Sequence, residues 1–251
     1  MIKLVSADIY QIGECVVGQT LHEAVRVYVM TNNGSPILID CGSHLHRETI
    51  MAELDQVIGD MVPTHIFLTH SELPHAGNLQ KVVERWPDIQ VITSNILLKY
   101  IEIAPIMSLD QITEIQPGGP LNFSGRDLHF VNALLKDQPG SQWIFDPSTG
   151  TLFSGDAFGY YHPPEICELF SDETDAGISA EFFKDYHRVT FRFLRWTVPE
   201  KLNAVLDGLF QRYPIQIIAP THGNAIRADI DLHLSRLKQA LAEVSGSYIH
   251  A

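Results

Sequence analysis

Two imidazoles and a carboxylate stand within six residues in the run Thr69-His70-Ser71-Glu72-Leu73-Pro74-His75. Nitrogen and oxygen donors spaced this closely can close around a cation, although a polar helix-capping loop would use the same residue types. Two other segments bear on that choice. Leu152-Phe153-Ser154-Gly155-Asp156 and Ile217-Ile218-Ala219-Pro220-Thr221-His222 each place a ligand-type side chain directly after an apolar stretch. Buried strands that all end in such side chains predict a site at one edge of the sheets. Its first members are His70, Glu72, His75, Asp156 and His222.

The elements that must position these residues are legible from hydrophobic period and turn chemistry. Residues 3–10 are β-rich, 24–31 alternate with period two, and Asn32-Asn33-Gly34-Ser35 turns into 36–40, which together read as a hairpin. Ile50, Met51, Leu54, Val57 and Ile58 predict a helix over 46–59, and 64–69 is a short buried strand. A helix over 78–85, a strand over 90–93 and a helix near 95–103 follow. Strands are expected at 111–115, 127–131, 142–145 and 151–153, with Pro117-Gly118-Gly119 as a turn. Helices at 198–213 and 226–244 flank a strand at 216–219. The order predicts one α/β domain over residues 1–251, with two sheets between helical layers.

Composition narrows the function. Lys and Arg number 17 against 30 Asp and Glu, a net charge of −13. A chain this acidic lacks the clustered cations that grip nucleic acid or an anionic membrane. No apolar run reaches the length of a membrane span, and the first residues run straight into strand-like alternation rather than a signal peptide. The three cysteines, Cys15, Cys41 and Cys167, are odd in number and far apart, which suits a reducing, cytoplasmic setting. Among 12 histidines, His65 and His129 read as packed strand residues, and His44, His46, His233 and His250 as solvated. Cys41 reads as a small core residue.

The metal-type motifs resemble those of the metallo-β-lactamase fold, and more narrowly its flavodiiron branch. That branch has His-x-Glu-x-Asp-His where hydrolases have His-x-His-x-Asp-His, and Leu-Phe-Ser-Gly-Asp-Ala-Phe-Gly at 152–159 is similar to it as well. The resemblance implies an αββα sandwich with a binuclear metal site. It departs in two places. The branch's Asp is Pro74 here. Its fourth ligand, a His in a His-Trp-Pro-Asp-Ser type segment, aligns with Asp137 of Asp137-Gln138-Pro139-Gly140-Ser141.

Carried over by position, the resemblance implies one metal at His70, Glu72 and Asp137, another at His75 and His222, and Asp156 as the bridge. Donors of this kind, without thiolate, favour two irons, with manganese or zinc as alternatives. Tyr160, Tyr161 and His162 follow the Asp156 loop and are expected to line a pocket over the metals. The implied function is binding, or reduction, of O₂ or NO. A separate electron donor or a signalling partner is expected, because the sequence ends about thirty residues past His222 with no flavin-binding domain in view. A homodimer is compatible with this reading. The competing expectation is a metal-dependent hydrolase of an ester, thioester or lactone, which Glu72 and Pro74 disfavour. A third is a scaffold with little metal, used only for binding.

Overall fold

The computed structural model describes residues 1–96 and 107–245. Strands β1 (Lys3–Ser6), β2 (Ile9–Val16), β3 (His22–Met30), β4 (Ile37–Ile39), β5 (His65–Phe67), β6 (Gln90–Thr93) and β7 (Ile112–Glu114) lie side by side in chain order. From β1 to β4 the pairing is antiparallel, and from β4 to β7 it is parallel. The parallel connections need crossovers. Helix α1 (Arg47–Ile58) supplies the first; the one-turn α2 (Leu73–Ala76) and α3 (Leu79–Arg85) supply the second.

The second sheet contains β8 (Gly118–Phe123), β9 (Arg126–Asn132), β10 (Gln142–Asp146) and β11 (Thr151–Gly155). The two-residue β12 (Tyr161–His162) returns to the first sheet against β3, and β13 (Ile217–Pro220) closes the second sheet parallel to β11. Helices α4 (Ala180–Thr190), α5 (Pro199–Arg212) and α6 (Ile230–Val244) cover its outer face.

The two-residue side-chain period of a strand sorts these residues into layers. In β3, Val27 and Val29 pack toward α1 and α3, while Tyr28 and Met30 face the other sheet. Leu38 and Ile66 join the first group; Ile37, Ile39 and Phe67 join the second. In the second sheet, Trp143, Phe145, Leu152 and Ile218 face the α4–α6 layer, and Ile144, Phe153, Ile217 and Ala219 face inward. Strands buried on both faces read as unbroken apolar runs, which is why they were visible in the sequence. The αββα sandwich is the observed architecture.

Several elements differ from expectation. Residues 3–10 split into β1 and the start of β2, because the chain reverses at Ala7, whose φ is 35°. Residues 118–123 form an edge strand rather than only a turn; five of its six residues are exposed, so no alternation marked it. Helix α4 was not anticipated, although Ser179 caps it and Phe183, Tyr186 and His187 form its buried stripe. Helix α6 begins at Ile230 rather than 226, because Ile226 bonds back to Ile218 and Asp229 is left-handed at φ 51°. The expected helix near 95–103 falls largely outside the described residues, as does His250. His233 is buried rather than solvated, its Nε2 accepting from the Ile178 amide at 3.1 Å. Among the described residues, no helix is long and apolar enough to cross a membrane.

Candidate metal centre

The six expected residues arise from strand ends and adjoining loops that backbone hydrogen bonds draw together. The Gln142 amide donates to Thr69 O at 3.0 Å, joining the second sheet to the segment after β5, and the Thr221 amide donates to Gly155 O at 2.8 Å. Gly155 has φ +57°, a conformation costly for residues with a Cβ, and it turns the chain so that Asp156 points inward. A Cβ there would also meet Thr69 Oγ1 at 3.4 Å.

Asp156 Oδ1 is the common point. His75 Nε2 lies 2.9 Å from it, His222 Nε2 3.5 Å and His70 Nε2 3.6 Å. Asp137 Oδ2 is 3.2 Å from His70 Nε2. The donor atoms of His70, Glu72, Asp137 and Asp156 fall within 4.8 Å of one another, and so do those of His70, His75 and Asp156. Glu72 is the exposed member; its Oε1 accepts from Gln138 Nε2 at 2.8 Å. Pro74 sits in the first turn of α2, where a missing N–H is harmless, and the turn aims His75 into the cluster.

Three residues absent from the sequence reading surround these side chains. Asp40 follows β4 with φ 60°, and its Oδ2 accepts from His75 Nδ1 at 2.6 Å. It also accepts from the Thr69 amide at 2.7 Å and from Thr221 Oγ1 at 3.1 Å. Glu23 on β3 places Oε1 2.6 Å from His222 Nδ1. The Tyr186 ring stacks on His222 at 5.6 Å. Tyr160 and Tyr161 lie behind this layer. The Tyr160 hydroxyl donates to Asn224 O and accepts from its amide, and Tyr161 sits edge-on to Tyr186. His162 faces away, toward Cys15.

The electrostatics are unbalanced without a cation. Burial, then the neighbouring His75, push His70 down to about 3, so its ring is neutral with Nε2 unpaired. Burial alone would lower His75, but Asp40 and Asp156 carry it up to about 10. Burial would raise the Asp156 carboxyl, yet the surrounding imidazoles hold it well below the usual carboxylate range. Burial and the Asp156 charge push Asp137 up to about 6. His70 Nε2, His75 Nε2, Asp137 Oδ2 and Asp156 Oδ1 are all buried without a hydrogen-bond partner. Buried polar atoms are normally satisfied, so four unsatisfied atoms facing one point fit a divalent cation or a pair of them.

The profile of the ODP family beta lactamase matches residues 24–223, from β3 to the glycine after His222. The chain belongs to this family. Within the family's fold, the chain sits in the flavodiiron branch, as the motifs implied. It is 26% identical over 194 residues to a nitric oxide reductase of Moorella thermoacetica, covering 76% of this chain and 47% of that protein. A coenzyme F420H(2) oxidase of Methanothermobacter marburgensis is 25% identical over 205 residues, covering 79% and 49%. A mutant flavo di-iron protein from Thermotoga maritima superposes with TM-score 0.78 at 18% identity, over 96% of this chain and 62% of that one. The chain spans about half the length of the curated relatives it matches.

Proposed function

We propose that this protein is a non-heme di-iron protein that binds O₂ or NO. The observation that carries the reading is the set of four unsatisfied buried donor atoms gathered at Asp156, all nitrogen or oxygen. In this reading His70, Glu72 and Asp137 hold one ion, His75 and His222 hold the other, and Asp156 bridges. Two irons bound there would supply electrons and open coordination positions to a diatomic gas.

The chain's own residues set the conditions for that chemistry. Asp40 fixes the tautomer of His75 by accepting from Nδ1, which would leave its Nε2 lone pair for the cation, and the Glu23 carboxylate lies 2.6 Å from His222 Nδ1. Tyr186 covers His222 and keeps water from that side. Pro74 offers no donor, so the ion between His75 and His222 would have the fewer protein ligands. Hydrolysis is disfavoured because Glu72 replaces an imidazole and Pro74 removes the carboxylate that would orient a water. The relatives named above are a nitric oxide reductase and an oxidase.

Turnover would draw on a separate electron donor, whereas a sensor would pass its state to a signalling partner or the second copy of a homodimer. A cytoplasmic setting is supported by three free cysteines, and a single domain over 1–251 by the continuous sandwich. The test is metal analysis of protein expressed with iron and purified without oxygen, followed by chemical reduction and exposure to each gas. Two irons per chain and an optical change with O₂ or NO are expected. Full zinc occupancy under iron-replete conditions, or an iron-loaded centre indifferent to both gases, overturns the reading. Rapid gas consumption with a flavoprotein donor selects the reductase over the sensor.

A further inference from the structure

A second cluster of metal-ligating side chains lies at the other end of the β3–β12 pairing. The donor atoms of Cys15, His162 and Cys167 fall within 4.8 Å of one another. His162 Nε2 stands 3.6 Å from Cys15 Sγ, and His22 Nδ1 stands 3.0 Å from Cys167 Sγ. His22 and His162 are direct cross-strand partners, so both imidazoles leave the sheet together. We propose that Cys15, His162 and Cys167, with His22 beside Cys167, form a thiolate–imidazole site for a zinc-class divalent cation, distinct from the centre at Asp156.

The surroundings are built for a fixed geometry. His162 Nδ1 donates to Pro163 O at 3.0 Å, which sets the tautomer and leaves the Nε2 lone pair toward Cys15. Asn224 Nδ2 donates to Cys167 O at 2.9 Å and to Leu169 O at 2.8 Å, holding the loop that carries Cys167. Arg26 is 1% exposed; it donates to Cys167 O at 2.7 Å and to Cys15 Sγ at 3.5 Å. A tetrahedral zinc with ligand bonds of about 2.3 Å to sulfur and 2.0 Å to nitrogen separates those atoms by about 3.5 Å. The Cys15–His162 spacing meets that value without rearrangement. Uptake replaces the protons of two thiols with two metal–sulfur bonds and releases two protons to solvent. No electron is transferred.

The site also adjoins the first one through the chain. His22 precedes Glu23, whose carboxylate lies against His222. The two sites nonetheless differ in donor type, and that difference makes them separable by experiment.

The test uses cobalt as the probe. Reduced wild-type protein titrated with Co²⁺ should develop a sulfur-to-cobalt charge-transfer band whose full intensity corresponds to one thiolate-bound cobalt per chain. Cys15→Ser and Cys167→Ser should each remove the band, and His162→Ala should weaken cobalt uptake at this site about tenfold or more. Cys41→Ser should keep it. Asp156→Asn, which disables the proposed iron centre, should also keep it, so failure of one proposal does not carry the other. Absence of the band in reduced wild-type protein overturns the inference, as does its survival in Cys15→Ser. A Cys15–Cys167 disulfide whose reduction gives no cobalt uptake overturns it as well.

Discussion

His75 donates Nδ1–H to Asp40 Oδ2 at 2.6 Å while its Nε2 points at Asp156 Oδ1, 2.9 Å away. One imidazole thus spans two carboxylates, one that aims it and one that would share a bound cation with it. Asp40 leaves β4 and Asp156 leaves β11, so this single ring registers the two sheets against each other at the candidate centre.

Asp40→Asn should therefore weaken the ion at His75 without unfolding the protein. Asparagine tolerates the left-handed backbone at this position and keeps the contact with Thr69, but it supports the wrong His75 tautomer. Loss of a partner of this kind costs about 10- to 100-fold in metal affinity. Competition with a chelator measures it; unchanged affinity would make Asp40 purely structural.

Asp137→Ala should lower metal content on the His70 side while leaving the metal-free protein as stable or more stable at pH 7. Asp137 is not a free surface turn residue, since its side chain is only 8% exposed and faces Asp156. Its carboxyl is raised to about 6, so its stabilising contribution is present below the unfolded value and lost as pH rises through 6. Removing it should gain on the order of 1 kcal/mol in the metal-free state at neutral pH. Denaturant titrations with and without metal test this; a large loss in the metal-free protein would refute it.

His187 should make the fold acid-sensitive. Burial pushes its ring down to about 4, with Nδ1–H held by Phe183 O at 2.8 Å. The unfolded chain takes up a proton near pH 6.5, so this stability is full above that value and lost as pH falls toward 4. The difference is on the order of 3 kcal/mol. His187→Asn should flatten the pH dependence of the denaturation midpoint across this window; an unaltered slope would contradict the assignment.

Arg126 should matter to stability alone. It bridges Asp8 at 2.7 Å and the fully buried Asp146 at 2.6 Å, at the end of the β10–β11 hairpin remote from Asp156. Arg126→Met leaves Asp146 with only Ser148 and Thr149 as local donors, costing about 3 kcal/mol or more. Metal content should be unchanged, and a parallel loss of metal would show that the hairpin couples to the site.

The sequence by itself determined the layers and the donor types gathered at the candidate centre. Each buried strand carries its own period, and His70, Asp156 and His222 closely follow apolar runs with His75 five residues past His70, so their placement rests on information within a few neighbouring residues. Asp137 needed the family resemblance, because a polar turn gives no local signal. Tertiary structure alone decided which partners surround these side chains. Asp40 lies 35 residues before His75, and Glu23 meets His222 only after β3 and β13 are brought to one edge. Cys15 and Cys167 read as isolated cysteines until β12 pairs with β3 and carries His162 between them. Contacts of this separation follow from strand order and register, which no local pattern encodes.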